Sequence, residues 1–236
     1  MIPPLVHLIA SAHDTRFSRG IEELLIRLKI CQQLREEPPE PLTEFLREFS
    51  GLERVARLPA LRLVPIRPDD GPISELLSVL EPKQLVSHVG SPAEGLSLKA
   101  GLYMIHDYLD AAHELAQQSD ELGHSATAPY WHGIMHRREP DYDNARYWFR
   151  RVGSHPIFPE IGSEVGEMLS DKSFAAHLRF ARVLDGRGHW DAMAFIDLCE
   201  WCGTACDDRA QAAARLQEVE MRRLLEFTCR AAQGEI

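Results

Sequence analysis

Six of the eleven histidines fall between His106 and His155, and imidazole is the side chain that both ligates transition metals and moves protons near neutral pH. Two pairs stand at helical spacing. His132 and His136 are four apart, on one face of any helix that contains them; His106 and His113 are seven apart, with Asp110 between them. If those helices pack together, three or four ring nitrogens and a carboxylate converge. This predicts a centre for zinc, iron or manganese built from His106, His113, His132 and His136, with Asp110 and His136 as acid/base groups. The competing reading makes the same histidines hydrogen-bonded core residues. Gly133 stands where the zinc-protease pattern needs a glutamate, so that chemistry is disfavoured.

Groups that grip anions lie beside the histidines. Arg137 and Arg138 end the His132 helix close to Asp141 and Asp143, where guanidinium forks suit a phosphate or carboxylate. Trp131 offers an apolar wall, and the turn Gly153-Ser154-His155-Pro156 puts His155 at its rim. The expected ligand contacts are therefore Arg137, Arg138, Trp131 and His155, and the expected ligand is small and anionic. Against this, the arginines also suit the negative end of the helix dipole and their acidic neighbours, and the aromatics suit a core. Cys199, Cys202 and Cys206 have a ligand-like spacing, with His189 the candidate fourth donor, but they continue the helical face of Phe195 and Leu198 and read as buried thiols.

Helices must position these residues. Ile21, Leu24, Leu25, Leu28 and Cys31 follow helical periodicity from a cap at Ser18 to a stop at Pro38-Pro39, and a shorter helix spans Leu42 to Phe49. The prolines from Pro59 to Pro68 predict an extended loop, Ile73 to Leu80 a helix closed by Pro82, and Gly90 to Gly95 a turn. Leu98, Leu102, Ile105, Leu109, Ala112 and Ala116 predict one long helix with a narrow apolar seam. Further helices are expected at Pro129 to Arg138, Asn144 to Val152, Ile161 to Leu169, Phe174 to Leu184, Trp190 to Cys206 and Asp207 to Ala232. The class is all-α, an irregular helical bundle or short repeat-like array, as one domain over 1–236 with a potential division near 82–95.

Gly133 to His136, the turn Pro140-Asp141-Tyr142-Asp143, and Asn144 to Phe149 together resemble one tetratricopeptide or Sel1-type repeat. Gly133, Ala145 and Phe149 occupy the small, small and aromatic positions of that hairpin. The resemblance covers about thirty residues and implies a pair of antiparallel helices and, as an alternative function, a module that docks another polypeptide. The dipeptide His106-Asp107 is similar to the signature of HD-type metal-dependent phosphohydrolases, which implies a further histidine and aspartate, His88 and Asp141 being the candidates; His13-Asp14 is a second such dipeptide.

Composition bounds the rest. A net charge of −10 disfavours nucleic acid, and no apolar run is long enough for a membrane span. Five cysteines without a disulfide spacing, and a start without a secretory pattern, predict a cytoplasmic protein. Phosphate-cradling glycine loops and nucleophile elbows are absent.

Overall fold

A computed structural model describes residues 2–12, 21–22, 24, 26, 58, 62–65, 71–123, 125–178, 182–203, 205 and 207–236. Among the described residues the chain is an all-α bundle of eleven helices, and the extended pairing is a single bridge between Leu184 and Trp190. The helices expected from Ser18 to Pro38 and from Leu42 to Phe49 lie largely or wholly outside the described residues, as do most of the proline stretch, the His13-Asp14 dipeptide and Cys206.

Prolines open helices here more than they close them. The helices α1 (Pro4–Ala10), α2 (Pro72–Val79), α3 (Pro82–Leu85) and α4 (Pro92–Ile105) each begin on one, because the first turn has no use for the missing N–H and proline's φ is already helical. The turn expected over Gly90 to Gly95 is thereby shortened: Ser91 accepts from the Glu94 amide at 3.3 Å and α4 runs on from Pro92.

The long seam helix is two helices. α4 ends at Ile105 and α5 (Leu109–Glu121) starts after a three-residue elbow, yet Leu98, Leu102, Ile105, Leu109, Ala112 and Ala116 are all buried. Both halves face one core, so the apolar pattern carries no sign of the break. The elbow centres on Asp107, which has a left-handed φ of 67°, a conformation that aspartate tolerates better than most residues. Arg138 holds it there: the buried guanidinium donates to the Met104 carbonyl at 2.6 Å, to the Arg62 carbonyl at 3.3 Å and to the Asp107 carboxylate.

Next come α6 (Ala128–Arg138) and α7 (Tyr142–Val152), packed closely across a short turn. A Cβ on Gly133 would lie 2.8 Å from two atoms of the Phe149 ring, and Ala145 is buried at the same crossing. Small side chains are what let two helices approach this closely. Gly133→Ala is therefore expected to destabilise the protein by about 1–3 kcal/mol through overpacking, read as a lower urea midpoint with unchanged slope.

The chain finishes with α8 (Phe158–Leu169), α9 (Lys172–His177), α10 (Ala192–Cys202) and α11 (Asp208–Ala232). Of the helix expected from Phe174 to Leu184, the described residues show α9 ending at His177 and no helix at 182–184. Beyond it Asp185-Gly186-Arg187-Gly188 forms a tight turn closed by the Asp185 amide on the His189 carbonyl at 2.8 Å, and turn chemistry overrides the apolar spacing. Buried apolar side chains form one contiguous cluster that reaches from Ile2 to Ala232. Trp131 sits in it with no exposure, its ring against Gly101 and its indole N–H donating to Thr228 of α11 at 3.1 Å. No helix among the described residues is long and apolar enough to cross a membrane.

Candidate metal centre

The elbow after α4 decides which histidines meet. In an unbroken helix His106 and His113 would share a face. Instead His106 turns to α1, its Nε2 at 2.8 Å from the Ile9 carbonyl, and α5 carries His113 against α6. The His113 ring lies 4.7 Å from that of His132 and 5.4 Å from that of His136, edge to face in both cases. His132 and His136, one turn apart on α6, are stacked at 5.1 Å. One ligating atom from each of the three falls within 4.8 Å of the others. A tetrahedral ion with nitrogens at its usual bond length separates them by roughly 3.3 Å, so side-chain rotations closing at most about 1.5 Å bring the set to a common ion.

α7 walls the group. Trp148 stacks on His132 at 3.7 Å and 14°, and Arg151 places its guanidinium 4.5 Å over the Trp148 ring while forming a two-point ion pair with Asp120 of α5. The Asn144 amide nitrogen is 3.1 Å from His136 Nε2 and 3.3 Å from its Nδ1. On the other nitrogen, His136 Nδ1 has Glu139 at 3.5 Å and Asp141 at 3.9 Å. Carboxylates behind a ring nitrogen favour a proton on that nitrogen, which leaves Nε2 with its lone pair. His132 Nδ1 is buried with no hydrogen-bond partner.

Burial also sets the protonation state. His132 is pushed down to about 3, first by burial and then by the neighbouring His113, His136 and Arg151 charges. His136 lies below its ordinary value for the same leading reason, reinforced by His113 and opposed by Asp141. Both rings are therefore neutral at pH 7, the form that ligates a metal. His113 is half-buried and opens the group to solvent, whereas His132 and His136 are 3% and 7% exposed.

The other expected site residues stand apart. Asp110 is exposed on the first turn of α5 and lies outside the three-histidine group. His106 and Asp107, similar to the HD signature, are held by Ile9 and Arg138 and form an elbow, not a ligand pair. Arg137 and Arg138, expected to grip an anion, are 1% and 0% exposed. Arg137 pairs with Glu220, which also accepts from Tyr130 and Trp190 at 3.1 Å each, and Arg138 locks the elbow. Consecutive arginines on a helix point about 100° apart, so each found its own buried acceptor. Trp131 is core, not a pocket wall. Cys199 and Cys202 are buried free thiols, and burial raises Cys199 to about 12, as for a packed residue.

His155 is likewise internal, 5% exposed among Tyr130, Phe158 and Phe227. Burial pushes it down to about 4 from its ordinary 6.5. As pH falls below 6.5 the unfolded chain takes the proton first, so stability is lost progressively toward pH 4. The expected loss from this residue is roughly 2–3 kcal/mol. His155→Leu should make urea-derived stability less steep in pH across that window; it will not be flat, because His132 and His136 titrate in the same direction.

Asn144 and Trp148 are the neighbours of the site that histidine spacing does not reveal. Counting antiparallel from the Gly133–Phe149 contact reaches Arg150 and Arg146, two residues off, so only the packed structure puts Trp148 against His132 and Asn144 against His136. Comparison with protein-family models, with curated proteins and with solved structures finds no match to this chain.

Proposed function

We propose that this protein binds a divalent transition-metal ion at His113, His132 and His136, with at least one coordination position left for an exogenous ligand. The observation that supports this is the meeting of three imidazoles from two helices within 4.8 Å, one of them carrying a buried nitrogen with no partner. An unsatisfied buried ring nitrogen is costly in a metal-free core, and a metal ion is one group that relieves it. A donor set of nitrogen without carboxylate disfavours magnesium, calcium and manganese and favours zinc over iron. Three histidines plus an open position is the arrangement of a reactive zinc site, in which the ion polarises a bound water or substrate. Elemental analysis of the purified, untagged protein tests this: near one equivalent of zinc, lost in His132→Ala and His136→Ala, is expected. Metal far below one equivalent, unchanged by the substitutions and not restored by added zinc, would overturn it.

A second reading is a tetratricopeptide-like docking module. It draws on the close packing of Phe149 on Gly133 with Ala145 at the crossing, and it requires no metal, so the same analysis separates the two.

A further inference from the structure

Resting on that metal reading, we propose that the bound ion recruits a small oxyanion, a phosphate or carboxylate group, which Arg151 anchors from the second side. The argument is one of charge. Three neutral imidazoles leave a divalent ion with its full charge of two, since none of the ligands is a carboxylate. The position left open therefore favours an anion over a neutral ligand.

Among the described residues, the placement of the charged groups around the histidines decides what the site accepts. Glu139 and Asp141 face His136 Nδ1, on the far edge of that ring from the lone pair, where they orient the histidine. Asp110 and Glu114 are exposed on α5 to either side of His113, and Asp120 is engaged by Arg151. The Arg151 guanidinium rests on Trp148, the ring that stacks on His132. The positive charge is also felt at His132, where it helps to hold the ring neutral.

Arg151's present partner is open to competition from solution, for its side chain is 41% exposed and that of Asp120 is 25% exposed. An oxyanion on the metal offers the guanidinium the same kind of two-oxygen acceptor that Asp120 does. Trp148 provides a flat apolar wall for that exchange, and the Asn144 amide provides a neutral donor on the opposite flank, freed once the metal takes His136 Nε2. Arg137 and Arg138 take no part in this, because both are buried with other acceptors.

The test uses Co2+ in place of zinc, since its visible absorption reports on coordination. Inorganic phosphate, then acetate, then sulfate are titrated into the Co2+ protein at constant ionic strength. Saturable change of the absorption with phosphate or acetate is expected, and whichever binds more tightly names the oxyanion. Arg151→Met should weaken that binding by at least about fivefold while leaving the Co2+ stoichiometry unchanged. A spectrum indifferent to all three anions, with Co2+ bound, overturns this proposal and leaves the metal reading standing. Equal anion affinity in Arg151→Met also overturns it as regards Arg151. Failure to take up Co2+ at all overturns the metal reading and this one together.

Discussion

Replacement of His132 by alanine is expected to lower the affinity for zinc by about 100-fold or more, and replacement of His113 or His136 to do the same. Each removes one of the three imidazoles that group together among the described residues. The informative control is His106→Ala. It belongs to the same sequence cluster but bonds the Ile9 carbonyl, so it should cost about 1 kcal/mol of stability and leave zinc affinity unaltered. Competition against a chromophoric chelator measures all four variants. In the wild type, zinc at 100 times its dissociation constant should add roughly 2.7 kcal/mol to unfolding stability, an increment absent from the three ligand variants. Trp148 supplies a local readout because its ring contacts His132: Cu2+ or Co2+ at the site should quench its emission, and Trp148→Phe should abolish that part of the signal. Four variants with equal affinity would end the case for a metal centre here.

The largest expected effect on stability lies at Glu220. This carboxylate has no exposure and collects Arg137, the Tyr130 hydroxyl and the Trp190 indole N–H, so α6, α11 and the segment before α10 meet on one charge. The Arg137 guanidinium also lies 4.5 Å over the Phe195 ring, and among the described residues Glu220 is the carboxylate that pairs with it. Removing one member of a buried ion pair strands the other, and the cost is about 3–5 kcal/mol. Glu220→Gln is expected at the lower end of that range, since an amide still accepts one of the three donors, and Glu220→Ala at the upper end or beyond because it also opens a cavity. The double variant Arg137→Met/Glu220→Met should recover a large part of the loss, because burying two apolar chains carries no desolvation penalty. Recovery will be incomplete, for Tyr130 and Trp190 then lose their acceptor. Urea unfolding of the four proteins reads these differences directly; a Glu220→Gln variant within about 1 kcal/mol of wild type would refute the account of Arg137 as a charge that needs this partner.

Local chemistry determined much of this protein in the sequence itself. Helical periodicity and capping residues located α2, α6, α7 and α11 to within a few residues, because an amphipathic face is a property of the segment alone. The one-face pairing of His132 with His136 is equally local, being set by 3.6 residues per turn. The spacing of Gly133, Ala145 and Phe149 likewise foretold a tight contact between two helices, which the Gly133–Phe149 packing displays.

Tertiary structure alone decided the membership of the candidate site. The break at Asp107 comes from a guanidinium thirty-one residues away, buried against carbonyls at the end of α4, and no pattern within α4 or α5 encodes it. That break separates His106 from His113 and delivers only the latter to α6. The fate of the two arginines was equally hidden: a charged pair at a helix end reads as surface, and what buried it was an acceptor at Glu220 and a row of carbonyls at the elbow. Spacing within a helix is fixed by covalent geometry, but which faces meet, and whether a charge finds a partner in the interior, depends on segments distant in the chain.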